Sequence, residues 1–261
     1  MSSLSQWSIL AAFCLLCSQQ GQAQSAACGG DRACVADRSK AAWSDGARIK
    51  LASPIVPQRC PGTAVDVTAA SLEERQLACS AAKDAIERLA RCGISLRRPL
   101  SVQIMSEVRH PFSGPILGLL DTKQERVLVT QEANVPSLVK DTPYAKLPLR
   151  DFYRSLIIHE VVHGVMHQNL KRAATTHAAY EYPAYALQLE SLVPDVRESF
   201  LQAFDQTAIK PDSTPFSDVI LFFDPYFFAA RAYRHFKASR DGCAHLAALL
   251  EGEVPFIAPQ M

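Results

Sequence analysis

The segment from Leu149 to Asn169, LRDFYRSLIIHEVVHGVMHQN, decides the fold. Its pattern is helical, and near its middle it is apolar on almost every side, at Leu156, Ile157, Ile158, Val161, Val162 and Val165. A helix that is apolar around its whole circumference lies inside a protein, not on its surface. We therefore expect a buried central helix on which the other elements pack.

Upstream of this helix the sequence predicts one helix and several strands. Ser71 and Glu74 form a capping box at the start of a helical pattern that ends at Gly93. Leu100–Met105 alternates as a strand does, and Ile116–Leu120 and Arg126–Gln131 read as a hairpin around a polar turn. Strands that mostly precede residue 135, followed by helices after residue 148, indicate the α+β class.

Downstream of the central helix the pattern is helical throughout. A second helix is predicted from about Pro183 to Leu192, with the proline in its first turn, and Pro194 ends it. A further helix is predicted from Ser199 to Ala208, and the aromatic-rich stretch from Val219 to Leu250 has a helical period.

Composition and the N-terminus narrow the class of protein. With 27 Lys+Arg against 26 Asp+Glu, the chain has no basic field for nucleic acid or an anionic membrane. The apolar run Trp7–Cys17 is too short to span a bilayer and fits a signal peptide over residues 1–23. Residues 24–58 then form an irregular leader or a pro-segment. We expect a secreted or periplasmic protein without a stable membrane anchor.

The cysteines fit an exported protein. Removal of residues 1–23 leaves six of the 8 cysteines, at Cys28, Cys34, Cys60, Cys79, Cys92 and Cys243. An even number in an exported chain predicts disulfides, but the spacing does not choose among the connectivities. Cys28–Cys34 is a plausible local loop, and Cys243 must reach back to the N-terminal half if it is paired. The chain that remains after removal of residues 1–23 contains no CxxC pair, which disfavours a thiolate zinc site.

The pentad His159-Glu160-Val161-Val162-His163 carries the chemistry. Residues four apart on a helix lie one above the other, so both imidazoles can hold one Zn²⁺. Glu160 lies about 100° further round the helix, beside the metal and not on it, where a carboxylate can take a proton from water. The alternative is a pair of core histidines without metal, which leaves three buried polar groups to be satisfied separately.

A catalytic zinc site needs a third protein ligand. Glu181 is the preferred candidate, because a loop and chain reversal bring the start of the next helix against the first. His177 and Glu190 are weaker candidates. His167 lies two turns from His159, too far along the helix axis to share one ion.

With His159, Glu160, His163 and Glu181, the chain resembles the gluzincin branch of the zincin metallopeptidases and is similar to small secreted bacterial zincin-like proteins. The resemblance implies a small, mostly antiparallel sheet packed on the HExxH helix, in a catalytic domain over residues 59–261. It also implies that Arg126–Gln131 is the edge strand that pairs with substrate. The chain departs from the thermolysin pattern at Tyr185, where those enzymes carry an acidic residue.

The resulting hypothesis is a secreted zinc metallopeptidase that acts on a peptide or protein substrate. His159, His163 and Glu181 would hold Zn²⁺ while Glu160 acts as general base in a zinc-water mechanism. Tyr185, Tyr233 and His235 are candidates for stabilising the transition state, although aromatic residues at helical spacing are more often core. The alternative is a non-catalytic secreted zincin-like binding or adaptor module.

Overall fold

The computed structural model describes residues 56–111, 113–171, 176–204, 216–239 and 242–252. The predicted signal peptide over residues 1–23, nearly all of the leader over residues 24–58, and the cysteines Cys28 and Cys34 lie outside these ranges. The described chain combines helices and strands around one hydrophobic core, which confirms the α+β class.

Within the described residues, seven strands form two sheets. The strands are β1 (Gln58–Arg59), β2 (Val65–Thr68), β3 (Leu100–Met105), β4 (Val108–His110), β5 (Gly114–Ile116), β6 (Gly118–Asp121) and β7 (Arg126–Thr130). Five of them make one sheet in the order β1-β2-β3-β7-β6, and β4 and β5 pair separately. The predicted hairpin corresponds to β6 and β7, while Ile116 belongs to β5.

The larger sheet is mixed, whereas the expectation was a mostly antiparallel one. Its central pairs, β2 with β3 and β3 with β7, are parallel, and only the outer pairs are antiparallel. The reason lies in the connection between β2 and β3. A helix crosses from the end of one strand to the start of the next, and such a crossover returns the chain in the same direction.

Eight helices complete the described chain. They are α1 (Leu72–Arg91), α2 (Val135–Val139), α3 (Leu149–Asn169), α4 (His177–Ser191), α5 (Pro194–Leu201), α6 (Asp218–Phe223), α7 (Pro225–Ala238) and α8 (Gly242–Glu251). The 3₁₀ turns Glu132–Asn134 and Pro143–Lys146 flank α2. The predicted helix start is confirmed, since Ser71 is the N-cap and its hydroxyl accepts a hydrogen bond of 3.1 Å from the backbone N–H of Glu74. The Glu74 carboxylate accepts from the same hydroxyl at 3.4 Å.

Helix α3 is the buried centre of the molecule. It packs against α1 and α4 on its sides and against β6 and β7 of the sheet. Gly164 makes close packing possible, because a Cβ atom there would stand 2.9 Å from the side chain of Leu100 on β3. The predicted bounds and the predicted burial of this helix are both confirmed.

Two helices after α3 begin earlier than the sequence indicated. Helix α4 starts at His177, where the Thr176 side chain accepts a hydrogen bond of 3.2 Å from the N–H of Ala179, so Pro183 lies inside it. A proline here costs one backbone bond of the helix but does not break it. Helix α5 begins at Pro194, so the helix predicted from Ser199 was wrong in position; most of its second half lies outside the described residues.

In the part of the chain that the structure describes, two disulfides join α1 to other parts of the molecule. Cys60 bonds to Cys79, and Cys92 bonds to Cys243, which links the end of α1 to α8. The predicted return of Cys243 to the N-terminal half is thereby confirmed. In the ranges that the structure describes, no helix is both long and apolar enough to cross a membrane.

Candidate metal centre

The two histidines of the HExxH pentad converge in the core. His159 and His163 stand one turn apart on α3, with exposed fractions of 5% and 4%. Their Nε2 atoms lie 3.1 Å apart, and the rings meet edge to face with centroids 4.8 Å apart. Both imidazoles therefore direct the same nitrogen at one point between α3 and α4.

Glu181 reaches this point from the second turn of α4. Its Oε2 atom lies 3.3 Å from Nε2 of His159, and its Oε1 atom lies 3.4 Å from Nε2 of His163. The three residues form a triangle in which the two nitrogens lie 3.1 Å apart and each nitrogen faces a different oxygen of the Glu181 carboxylate. Taking one ligand atom from each residue, all three atoms lie within 4.8 Å of one another. Four ligands about 2.0–2.1 Å from a tetrahedral ion lie about 3.3–3.4 Å from one another, so the three residues are close enough to share one ion.

A buried hydrogen-bond relay fixes the tautomer of His159. Nδ1 of His159 lies 3.0 Å from Oε1 of Gln188, an oxygen that can only accept, so Nδ1 carries the hydrogen. The amide of Gln188 lies 3.5 Å from Oγ of Ser155, and that hydroxyl donates to the carbonyl of Phe152 at 2.7 Å. When His159 is neutral, its Nε2 therefore presents a lone pair to Glu181.

Gln188 is a residue that sequence reasoning missed. It lies seven positions beyond Glu181 and supplies the hydrogen-bond acceptor for Nδ1 of His159. Residues seven apart lie on the same face of a helix, and that spacing was the signal available in the sequence.

The carboxylate of Glu181 gives the centre a negative charge that favours a cation. Burial alone would raise the pKa of Glu181, but the neighbouring imidazoles of His163 and His159 hold it well below its usual range. A carboxylate that stays ionised at 12% side-chain exposure needs a positive partner, which is either a protonated imidazole or a metal ion. Among the described residues, these three are the one group whose ligand atoms gather closely enough to hold a metal.

Tyr180 covers the other side of His163. The two rings stack almost in parallel, with centroids 4.6 Å apart and an angle of 9° between the planes. Tyr180 is one residue before Glu181, so helix α4 supplies both a ligand candidate and the ring that limits the movement of His163. In the described part of the chain, Nδ1 of His163 has no hydrogen-bond partner.

Glu160 lies beside the triangle and not within it. Its side chain is 5% exposed and packs directly on the backbone of β6, where a Cβ atom on Gly118 would come within 2.5 Å of Oε1 of Glu160. Only a glycine leaves room for the carboxylate here. Burial raises the pKa of Glu160 to about 7, with His159 lowering it and Glu181 adding to the rise.

The edge strand next to Glu160 is β6. Arg126–Gln131, expected to be the edge strand, was wrongly placed, because β7 pairs with β3 on one side and with β6 on the other. The hairpin was recognised correctly, but the parallel pairing of β3 with β7 could not be read from local patterns. Among the described strands, β1 and β6 are the two outer strands of this sheet, and β6 is the one whose backbone lies next to Glu160.

A pocket opens beside His159 and Glu160. Elements that contribute to its wall are β6, α2, the turn before α3, α3 itself, α4 and the start of α7. Tyr185 lines it, and its ring lies 4.7 Å from that of His159. Tyr144 also lines it and was not anticipated, because a tyrosine in a proline-marked loop carries no local signal of function.

The other candidates for the oxyanion and for the metal lie elsewhere. Tyr233 sits under the guanidinium of Arg197, 5.1 Å from its ring centroid, and His235 shares a hydrogen bond of 2.7 Å with Tyr182. Neither lines the pocket. Glu190 pairs with Arg88 at 3.2 Å, and His177 begins α4 with its ring 6.1 Å from that of Phe222. His167, in the last turn of α3, is not part of the triangle either.

Comparison with known proteins gives a family without an assigned activity. Residues 65–259, about three quarters of the chain, match the family of unknown function DUF6639, and the chain belongs to that family. No curated protein and no solved structure matches it.

Proposed function

We propose that this member of DUF6639 is an exported zinc metallopeptidase with a zincin-like fold. One observation carries the proposal: the Nε2 atoms of His159 and His163 and the carboxylate of Glu181 converge at 3.1–3.4 Å in the core, next to a buried Glu160. The ionised carboxylate of Glu181 needs a positive partner at this point, and a metal ion held by both imidazoles would supply it. Two imidazoles and one carboxylate are a set of ligands that binds zinc in catalytic sites.

His159, His163 and Glu181 would hold the metal in this proposal. Zinc in such a site lowers the pKa of water towards roughly 7 and polarises a carbonyl group. Gln188 keeps the hydrogen of His159 on Nδ1, away from the metal side, and this relay is the type of outer contact that orients ligating histidines.

Glu160 would move the proton. It is adjacent to the ligand His159 in sequence, is held against Gly118, and has a pKa of about 7 through burial. A carboxylate with a pKa near neutrality can accept a proton from water and return it to a leaving amine. A carboxylate with a purely structural role would not need to lie so close to the backbone of residue 118 that only glycine fits there.

The pocket beside the centre supports a peptide as the substrate. It opens at His159 and Glu160, and Gly118, the first residue of the outer strand β6, contacts Glu160. A peptide bond placed in this pocket would lie next to the proposed base.

A non-catalytic metal-binding or adaptor module is the second candidate. It is favoured by Nδ1 of His163, which has no hydrogen-bond partner among the described residues, whereas ligating histidines usually donate from their second nitrogen. A purely structural site does not, however, require the buried Glu160 or the adjoining pocket.

The test separates metal binding from hydrolysis. Purified protein without residues 1–23 should carry about one zinc per chain by mass spectrometry of the metal, and it should cleave a proteome-derived peptide library. Glu160→Gln should keep the zinc and lose at least about 100-fold in hydrolysis, the lower range for a general base.

The outcomes have distinct meanings. Full turnover by Glu160→Gln would overturn the mechanism. Zinc binding without any cleavage by the wild type would favour the non-catalytic module. Protein that purifies without zinc and does not bind it on titration would leave a protonated histidine pair on Glu181 as the explanation of the contacts.

A further inference from the structure

The two histidines of the candidate centre are held in different ways. Nδ1 of His159 has an acceptor in Gln188 at 3.0 Å. Nδ1 of His163 has no hydrogen-bond partner among the described residues, although this residue is only 4% exposed. The torsion that turns an imidazole about its Cβ–Cγ bond is soft and roughly two-fold, so covalent geometry does not fix the ring. A contact other than a hydrogen bond must therefore decide which nitrogen of His163 faces Glu181.

The ring of Tyr180 makes that contact. It stacks on the ring of His163 with centroids 4.6 Å apart and 9° between the planes, at the short end of the distances for stacked aromatic pairs. Half a turn of His163 about its Cβ–Cγ bond would carry the edge of the imidazole through the space that the Tyr180 ring fills. The same half turn would exchange Nε2 for a carbon atom. The stack therefore keeps Nε2 of His163 directed at Oε1 of Glu181, 3.4 Å away.

Tyr180 is itself held in place. Its hydroxyl donates a hydrogen bond of 3.4 Å to the backbone carbonyl of His163, which ties the ring to α3. Two backbone N–H groups in the first turn of α4 donate to side chains, one to the hydroxyl of Thr176 at 3.2 Å and one to the carboxylate of Asp218 at 2.7 Å. The stacked ring thus belongs to a capped helical turn and not to a loop.

A parallel stack also suits an imidazole that binds a cation. The face of a phenol ring carries negative partial charge. An imidazole bound to a metal ion shares the positive charge of that ion, so the phenol face attracts it as it attracts other cations. The ring of Tyr185 meets His159 at 69°, edge to face, and does not offer this contact. Each histidine therefore has its own means of support: a hydrogen bond for His159 and a stacked ring for His163.

We propose that Tyr180 is the positioning residue of His163, and that it does by ring stacking what Gln188 does for His159 by a hydrogen bond. This role depends on the zinc site of the proposed function but not on hydrolysis. The stack restricts the orientations of His163 before zinc binds and attracts the ring afterwards. The aromatic ring of Tyr180 supplies both effects, and the hydroxyl is secondary.

Two variants separate the ring from the hydroxyl. Tyr180→Leu removes the stack and should weaken zinc binding about tenfold, the lower end of the roughly 10–100-fold that follows the loss of an outer contact to a ligand. Tyr180→Phe keeps the stack and should stay within about twofold of the wild type. Competition with a fluorescent chelator measures both affinities. Unchanged affinity in Tyr180→Leu, or an equal loss in Tyr180→Phe, would overturn the proposal.

Tyr182→Leu is the matched control, because it makes the same substitution on the same helix. The ring of Tyr182 contacts His235 and His245 and not the centre. This variant should lower the free energy of unfolding in urea and leave the affinity for zinc unchanged. If it weakens zinc binding as much as Tyr180→Leu does, the effect comes from the packing of α4 in general and Tyr180 has no special role.

Nuclear magnetic resonance tests the stack directly. In zinc-loaded protein with isotope-labelled histidine, the ring current of residue 180 should shift the ring protons of His163 upfield. The shift should be present in the wild type and in Tyr180→Phe and absent in Tyr180→Leu, with the His235 signals the same in all three proteins. Identical His163 shifts in the three proteins would contradict the stacked arrangement.

The results remain separable from the proposed function. If the wild type binds zinc with the expected dependence on residue 180 but cleaves no peptide, the peptidase is refuted and the role of Tyr180 stands. If the wild type binds zinc and cleaves peptides while Tyr180→Leu binds zinc equally well, only the role of Tyr180 is refuted. A wild type that binds no zinc would refute both.

Discussion

Two pairs of histidines in this protein have the same distance between their ring centroids but different neighbouring groups. His159 and His163 have ring centroids 4.8 Å apart, and His235 of α7 and His245 of α8 also have centroids 4.8 Å apart. Each pair meets a tyrosine of helix α4, which is Tyr185 at 4.7 Å from His159 and Tyr182 at 4.8 Å from His245. Ring geometry alone does not distinguish them.

The difference lies in what else α4 contributes. At the first pair, the carboxylate of Glu181 comes within 3.3–3.4 Å of both Nε2 atoms. At the second pair, α4 offers the neutral hydroxyl of Tyr182 to His235 at 2.7 Å, and no carboxylate or thiol of the described residues completes a group of three. The first pair faces a carboxylate, whereas burial and His235 lower the pKa of His245 to about 4. The acidic group that faces the histidines is therefore what distinguishes the candidate metal centre from the second pair.

Replacing that acidic group should have the largest effect. Glu181→Gln keeps the shape of the side chain and removes its charge, so zinc affinity should fall by more than the roughly 10–100-fold that is typical of losing an outer contact. Tyr182→Phe changes the next residue of α4, which contacts the second histidine pair, and should leave the affinity for zinc unchanged. Competition with a fluorescent zinc chelator measures both. Equal zinc affinities of the two variants would contradict the proposed difference between the two histidine pairs.

The relay behind His159 should have an intermediate effect. Gln188→Leu removes the acceptor for Nδ1 of His159 and frees the ring to change tautomer, which should weaken zinc binding about 10–100-fold. Gln188→Glu restores an acceptor and should recover most of the affinity. A loss that Glu does not rescue would show that Gln188 acts through packing. Circular dichroism would check that both variants are folded.

Changes at the second histidine pair, His235 and His245, should have the smallest effect. This effect should appear in the free energy of unfolding and not in the affinity for zinc. His245 has a folded pKa of about 4 against about 6.5 in the unfolded chain, so the unfolded state binds the additional proton between these values. Stability should therefore fall as the pH drops from about 6.5 to 4. Partial exposure of the ring keeps the slope below the limit of roughly 1.4 kcal/mol per pH unit for one proton.

His245→Phe isolates this contribution. Urea unfolding at pH 7.5 and pH 5.0 should show a smaller loss of stability in the variant than in the wild type. An identical loss in both proteins would mean that His245 protonates without cost in the folded state, and the electrostatic contrast between the clusters would then be weaker than the geometry indicates.

Much of the first pair could be predicted from the sequence, and almost nothing of the second. Within α3, the helical period fixes His159 above His163 and sets Glu160 to one side, whatever surrounds the helix. His235 and His245 stand on different helices, so no local period relates them. The same holds for Tyr144, which reaches the pocket from a turn that follows α2.

The sequence by itself determined the elements whose signals are local: the bounds of α3, the register of the HExxH pentad, the N-cap at Ser71 and the β6–β7 hairpin. Only the tertiary structure decided how these elements meet. It selected Glu181 from three possible carboxylate or imidazole partners, placed Gln188 behind His159, made the sheet mixed and put β6, not β7, on its outer side. Side-chain period follows from the geometry of a single helix or strand, while contacts between elements depend on how the whole core packs.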